Sequence, residues 1–412
     1  MHGSNEVRRV LSRLGCDLAA SGLFVYGATL FFLPPTSVSA ESSFQQQELR
    51  RQQRTSSLYT QCESNPRQSK LIFLGTGSST GCPRPLCSLL FQDKRPQSNE
   101  EDEELQTLQD QFQRYCRVSN IAIQGDPRKN KNYRNNPSLL IHHYEHGGPV
   151  AKNVIIDVGK TFRETALRWL PLHGVRSLDA VILTHHHMDA VAGLDDLRGF
   201  QSFRKRRRES DGMDMPPERI AMPVFLSREC LDQVSSQFPW LFPKQKALKP
   251  VDSTTPEVKR DVAALEVNVV DDYSPFHAAG LKVTPLPVWH GDDLISLGFC
   301  FSVRNKDDTP TNVVYISDVS RMVPETLNFI LERLPPTDIL VVDALLNGDT
   351  THPVHFSLTQ AKALSRQIGA KQTYLVGMSC DSFPPHEEMN RILAEQDDFN
   401  IQLAHDGLSI EV

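Results

Sequence analysis

Short apolar runs, each cut off by a glycine or a polar residue, recur from Leu71 onward and alternate with stretches of helical spacing. Leu71-Ile72-Phe73-Leu74 reads as a buried strand that ends in Gly75-Thr76-Gly77. Asn153 to Asp157 and Asp179 to Thr184 read the same way, with helical spacing from Thr161 to Leu170 between them. Further strands are expected at Leu281 to Leu286, Gly298 to Val303, Val313 to Ile316, Asp338 to Val342 and Gln372 to Val376. Helices are expected over Val191 to Phe200, Ser357 to Ile368 and Glu387 to Glu395, with Ser357 as an N-cap. Ile401 to Ala404 and Leu408 to Val412 read as a closing hairpin. Several strands stop just before a chemically capable side chain, the usual way an α/β scaffold presents a site.

Residues 1–70 stand outside this pattern. Arg8, Arg9 and Arg13 precede an uncharged stretch from Leu18 to Leu33, then Pro34-Pro35 and the small residues of Val38-Ser39-Ala40. Basic, apolar, small is the order of a secretory signal, so residues 1–40 are expected to be a signal or organelle-targeting segment. The apolar run is about sixteen residues, short for a spanning helix. A single membrane anchor or a transit peptide is the alternative, although Glu6 and Asp17 are unusual in the latter. The compartment would be the secretory pathway or an organelle, and the cytoplasm if the segment is no signal. Residues 41–70 form a polar linker, and residues 71–412 the globular domain, with an acidic insertion at about 92–113 that contains Glu100-Glu101-Asp102-Glu103-Glu104. The basic run Arg204 to Arg208 reads as an exposed loop, with a nuclear signal or a phosphate-gathering loop as alternatives.

Composition excludes several classes. Apolar residues make up 39% of the 412 and charged residues 23%, enough to build a core, and a mean hydropathy of −0.36 excludes a polytopic membrane protein. The formal charge of −6 excludes a basic nucleic-acid module, and eight cysteines are too few for a disulfide scaffold.

The strongest local signal is Thr184-His185-His186-His187-Met188-Asp189-Ala190, delivered by a buried strand. Two histidines at i and i+2 in a tight turn can share one cation. An aspartate two residues on can face a second cation or hold the attacking water. Alone, the run would also fit a solvated polar turn. His290 follows another strand in Val288-Trp289-His290-Gly291-Asp292, and Asp318 a third in Tyr315-Ile316-Ser317-Asp318-Val319. His290 by itself would more often be a hydrogen-bonded core histidine. The ordered set is much rarer by chance than any one member.

This set resembles the metallo-β-lactamase superfamily, whose motif is H-x-H-x-D-H, and within it the branch of bacterial phosphonate-pathway cyclic-ribose phosphodiesterases and related plant and fungal hydrolases. The resemblance runs from about Leu71 to Val412 and includes Leu74-Gly75-Thr76-Gly77-Ser78-Ser79, Asp157 to Arg163, Gly193 to Arg198, Ile316 to Arg321 and Leu403 to Leu408. It implies a four-layer αββα sandwich with metals at one edge between the sheets. It further implies a first metal site of His185, His187 and His290, with Asp318 bridging to a second. Ala190 replaces the final motif histidine, and Cys380 stands where the late histidine is expected, so the second site would hold Asp189, Asp318 and Cys380. The alternative for Cys380 is a small buried apolar residue. The resemblance implies one or two zinc ions per chain, with manganese as the alternative metal. One zinc suffices to activate water, lowering its pKa from about 15.7 to about 7. Asp189 could also orient the metal-bound hydroxide and accept its proton. His355 matches a histidine facing the substrate phosphate and would act as general acid, or else pack as part of a helix cap. Arg321 would supply a cation to the substrate, unless it is a surface arginine. Some relatives carry a structural zinc, for which Cys82, Cys87, Cys116 and His386 are the candidates here, without C-x-x-C spacing. His142, His143 and His146 are expected to be solvated near a hairpin turn.

The expected function is a metal-dependent hydrolase, a phosphodiesterase acting on a small diester (a cyclic nucleotide-like or ribose phosphate is one candidate). Alternatives are a thioester or lactone hydrolase on the same site, or a non-catalytic metal- or ligand-binding relative, which Ala190 and Cys380 would favour. The expected partner is a small-molecule phosphodiester. No nucleic acid is expected, since no long basic arm or stacking-aromatic cluster is visible, and no membrane contact beyond the N-terminal segment. The oligomeric state is not readable from the chain.

Overall fold

The computed structural model describes residues 68–85, 87, 116–145, 148, 150–207, 213–242, 261–305, 307–397 and 399–412. The expected targeting segment, nearly all of the linker, the acidic insertion and the end of the basic run lie outside the described residues.

The first strands in chain order are β1 (Lys70–Gly75), β2 (Ser138–Tyr144), β3 (Ala151–Ile156) and β4 (Ala180–Ile182). Next come β5 (Phe203–Arg207), β6 (Asp214–Arg219), β7 (Met222–Leu226) and β8 (Leu265–Val269). The second group is β9 (Phe276–Ala278), β10 (Leu281–Trp289), β11 (Ile295–Arg304), β12 (Pro310–Ile316) and β13 (Arg321–Met322). It ends with β14 (Ile339–Asp343), β15 (Gln372–Val376), β16 (Ile401–Leu403) and β17 (Ser409–Glu411). The helices are α1 (Arg117–Ala122), α2 (Phe162–Trp169), α3 (Met188–Val191), α4 (Arg228–Gln237), α5 (Pro324–Arg333), α6 (Leu358–Ile368) and α7 (His386–Gln396).

These strands form two large sheets. One has the order β17-β1-β2-β3-β4-β7-β8, the other β13-β10-β11-β12-β14-β15-β16 with β9 beside β10; β5 and β6 make a separate ribbon. Both sheets share one plan: three antiparallel pairings followed by three parallel ones. The near-continuous apolar runs follow from burial on both strand faces. In β1, Leu71 and Phe73 point into the core between the sheets, while Ile72 and Leu74 point toward α2 and α4. In β12, Val313 and Tyr315 point between the sheets, and Val314 and Ile316 join the layer of α5, α6 and α7. The order is helix, sheet, sheet, helix, which is the expected αββα sandwich. Ser357 caps α6, and with Gln360 it completes a capping box.

Three expectations need correction. The closing hairpin does not form: β16 pairs with β15 in one sheet and β17 with β1 in the other. Asp406 pins the crossing. Its carboxylate accepts from Thr76 Oγ1 at 2.9 Å and from Asn135 N and Nδ2 at 2.8 and 2.7 Å. The helix expected over Val191 to Phe200 is split into the short α3 and a 3-10 turn over Leu194–Gly199. His143 lies within β2 and is buried, so it is not solvated.

The segment after β3 packs hard on α3. Val158 N donates to Ala190 O at 2.8 Å, and a Cβ on Gly159 would lie 1.7 Å from Asp189 O. Only glycine permits that approach. Gly159→Ala is expected to destabilise the fold by about 1–3 kcal/mol, as overpacking does. Chemical denaturation measures this, and an unchanged midpoint would contradict the packing described.

Candidate metal centre

The site is built from strand ends. Beyond β3 the chain turns at Asp157, a non-glycine residue held at φ 61°. Its carboxylate accepts from Thr184 N and from Thr184 Oγ1, both at 2.8 Å. Having donated its proton to Asp157, Thr184 Oγ1 can only accept from His185 Nδ1, 2.8 Å away. This fixes the tautomer of His185: Nδ1 carries the proton and Nε2 is bare. Nε2 is buried and has no hydrogen-bond partner among the described residues. Burial drives the His185 pKa down to about 3, so the ring is neutral. His290, after β10, is fixed in the same way, since its Nδ1 lies 2.8 Å from Val354 O, a pure acceptor. His187 is the N-cap of α3, exposed, with a pKa lowered first by burial.

One nitrogen from each of His185, His187 and His290 lies within 4.8 Å of the others. The ring centroids are 4.7 to 5.2 Å apart. Imidazoles whose nitrogens converge in this way are a donor set that fits a divalent cation such as zinc. The second nitrogens of His185 and His290 are engaged by groups that orient them, as in metal sites generally.

A second cluster shares His290. It adds Asp318, following β12, and His355, again with ligand atoms within 4.8 Å of one another. Burial pushes the Asp318 carboxyl up, but His185, His290 and His355 outweigh it and hold it below the usual range. His355 Nδ1 lies 2.7 Å from Asp343 Oδ2, at the end of β14. Burial would lower its pKa, yet Asp343, Asp318 and Asp189 together push it up to about 9. His355 is therefore a half-buried histidine whose charged form is favoured, beside the three-histidine cluster.

The other expected site residues fall elsewhere. Asp189 sits in the first turn of α3, buried, with burial and then Asp318 pushing its pKa up to about 6. Among the described residues it joins no cluster of three potential ligands. Ala190 presents only a buried methyl group to the core. Cys380 does not stand with Asp189 and Asp318. Its thiol clusters with those of Cys87 and Cys116, and Cys82 belongs to the same buried patch. The turn after β15 carries Gly377 against the site instead, where a Cβ would lie 2.3 Å from Asp343 Oδ1 and no ligand side chain fits. Cys380, three residues on, is already past the site. His386 is not in the cysteine cluster either; its Nε2 lies 3.0 Å from Asn390 Nδ2. Arg321 is exposed on β13, opposite Trp289 in register, with its guanidinium 5.3 Å from the Trp289 ring centroid.

Beside the cysteine cluster lies Arg134. It is fully buried, and none of its three guanidinium nitrogens has a hydrogen-bond partner among the described residues. The charges it faces are Cys82, Asp406 and Cys380.

Sequence reasoning missed Asp157, Thr184 and Asp343 as positioning residues. The signal was present, because Asp157 and Asp343 are carboxylates at the ends of buried apolar runs, like Asp318. Thr184→Val keeps the shape of the side chain and removes the link to His185 Nδ1. It is expected to weaken divalent-metal affinity by about 10–100-fold, measured by competition with a chromophoric chelator. Unchanged affinity would contradict the orienting role.

Comparison with known proteins agrees with this architecture. Residues 152–378, more than half of the chain, match the family described as the beta-lactamase superfamily domain. The crystal structure of a new diphosphatase from the PhnP family superposes with a TM-score of 0.54 at 25% identity, covering 84% of this chain and 97% of that one. The metallo-beta-lactamase fold protein YhfI from Bacillus subtilis gives a TM-score of 0.48 at 14% identity, over 84% of this chain and 100% of that one. An octanoyltransferase of Porphyromonas gingivalis (strain ATCC BAA-308 / W83) is 27% identical over 339 residues, 82% of this chain and 51% of the relative. The chain thus spans about half the length of the curated relative it matches. The chain belongs to the beta-lactamase superfamily and is a hydrolase with the metallo-β-lactamase fold.

Proposed function

We propose that this hydrolase is a metal-dependent phosphodiesterase acting on a small diester, cyclic ones included. The observation that carries the reading is the His355–Asp343 pair set against the three-histidine cluster. A bound zinc or manganese ion would supply a Lewis acid and activate water at neutral pH. His185, His187 and His290 would hold it, with Asp318 beside them. Asp189, two residues after His187 in the first turn of α3, would take the proton of the attacking water. His355, charged at neutral pH, would give its proton to the departing oxygen, and Asp343 would hold the ring in position.

This arrangement favours an alkoxide over a thiolate as leaving group. A thiol with a pKa of about 8.5 departs without assistance. An alkoxide needs a proton, and a poised imidazolium meets that need. A diphosphatase as structural relative supports phosphorus as the centre attacked. Thioester or lactone hydrolysis is the competing chemistry on the same donors.

The cysteine cluster would take a zinc of its own, with a structural role, because thiolates select zinc over manganese. Three thiolates around a divalent ion carry one net negative charge, and the buried Arg134 offsets it. Two metals per chain would then mean one ion at each of two separate places rather than a dinuclear centre.

The wild-type chain is expected to hydrolyse bis(nitrophenyl) phosphate, from which nitrophenolate departs, and a cyclic ribose phosphodiester, from which an alkoxide departs, and to be slower on thioester reporters. His355→Ala is expected to lower turnover by about 100-fold where an alkoxide departs. The loss should be much smaller where nitrophenolate, a good leaving group, departs. Equal losses on both substrates, or faster thioester than diester cleavage by the wild type, would overturn the reading.

A further inference from the structure

The family's second metal position does not fit this chain. Ala190 offers no donor, Gly377 leaves no room for one, and Asp189 stands in no ligand cluster among the described residues. Two units of positive charge are therefore missing from a site that must still receive an anion. The His355–Asp343 pair sums to zero. A single divalent ion is already balanced by Asp318 and Asp189. A phosphodiester and its attacking nucleophile would add negative charge with nothing to meet it.

Lys160 stands in the segment that packs on α3. It follows Gly159, whose backbone packs against Asp189 O, and Val158, whose N–H is bonded to Ala190 O. The loop that carries the lysine is thus fastened to the helix that lacks the ligand. Lys160 Nζ donates to Ser79 O at 2.6 Å, in the turn after β1, and Asn136 Nδ2 donates to the same carbonyl at 3.0 Å. An ammonium has three donors, and among the described residues this one uses a single bond and makes no ion pair. The side chain is exposed, so an incoming anion can reach it.

We infer that Lys160 is a substrate-binding residue whose ammonium meets a non-bridging phosphate oxygen and supplies positive charge where relatives place a second metal ion. The inference rests on the phosphodiester reading above. It assigns the anion clamp to the loop after β3 rather than to Arg321, whose guanidinium lies over Trp289.

The test uses the full chain with its metal as purified. Three quantities are measured for wild type, Lys160→Ala and Lys160→Arg: zinc and manganese content, affinity for inorganic phosphate by calorimetry, and KM and kcat on bis(nitrophenyl) phosphate. Lys160→Ala is expected to keep its metal content, to bind phosphate about tenfold more weakly, and to raise KM by a similar factor. Lys160→Arg should recover most of both. If Lys160→Ala matches the wild type in phosphate affinity and KM, or loses metal, this inference is overturned while the phosphodiester reading stands. A wild-type chain that neither cleaves diesters nor binds phosphate overturns the reading and this inference with it.

Discussion

A buried imidazole nitrogen with no partner is a costly thing to keep in a folded protein, at about 1–3 kcal/mol for an unsatisfied polar group. Among the described residues, His185 Nε2 is such a nitrogen. It is left bare because the other side of the ring is committed to Thr184, and Thr184 to Asp157. The three-residue chain spans two adjacent strand ends of one sheet and aims the nitrogen at the opposite sheet, where His290 waits with its own proton turned away toward Val354. A cation between them would satisfy both rings at once. The rest of the site presupposes this cation. Asp318 is held ionised beside the same histidines, and His355 is held charged where a departing group would leave.

The fold supplies this convergence through its repeated plan. Each sheet passes from antiparallel to parallel pairing, and the parallel strands end where the sheets meet. β3 and β4 deliver Asp157 and His185 from one sheet, while β12 and β14 deliver Asp318 and Asp343 from the other. Close backbone contacts stitch the two ends together. Leu297 N donates to Thr184 O at 2.9 Å, and Gly377 N to Thr76 O at 2.9 Å. Rigid strands behind short turns hold donor atoms with little freedom to drift.

Much of this was legible in the chain. The buried strands announced themselves as apolar runs, and four polar residues at their ends, His185, His187, His290 and Asp318, drew attention because strand ends are where side chains leave the core. What a one-dimensional reading lacks is direction. Cys380 and Gly377 are three residues apart in one turn, and only the structure shows that the glycine faces Asp343 while the thiol faces Cys87 and Cys116. The same limit hid the crossing at Asp406, since two short strands joined by Asp-Gly look alike whether they pair with each other or with separate sheets. Asp157 and Asp343 were visible as carboxylates, but their duty is to orient a neighbour, and that depends on contacts between segments distant in sequence. Lys160 falls inside the Asp157 to Arg163 motif, but nothing in that motif marks it as a substrate contact. It gains meaning only from the loop it rides on and from the ligand missing opposite.

Anomalous diffraction at the zinc edge, from crystals of the full chain purified without chelator, tests the central claim most directly. The expected result is a peak about 2.0–2.1 Å from one nitrogen each of His185, His187 and His290, with Asp318 adjacent and no second peak beside Asp189. Crystals soaked in zinc that show metal only among the cysteines, and none between the three imidazoles, would contradict it.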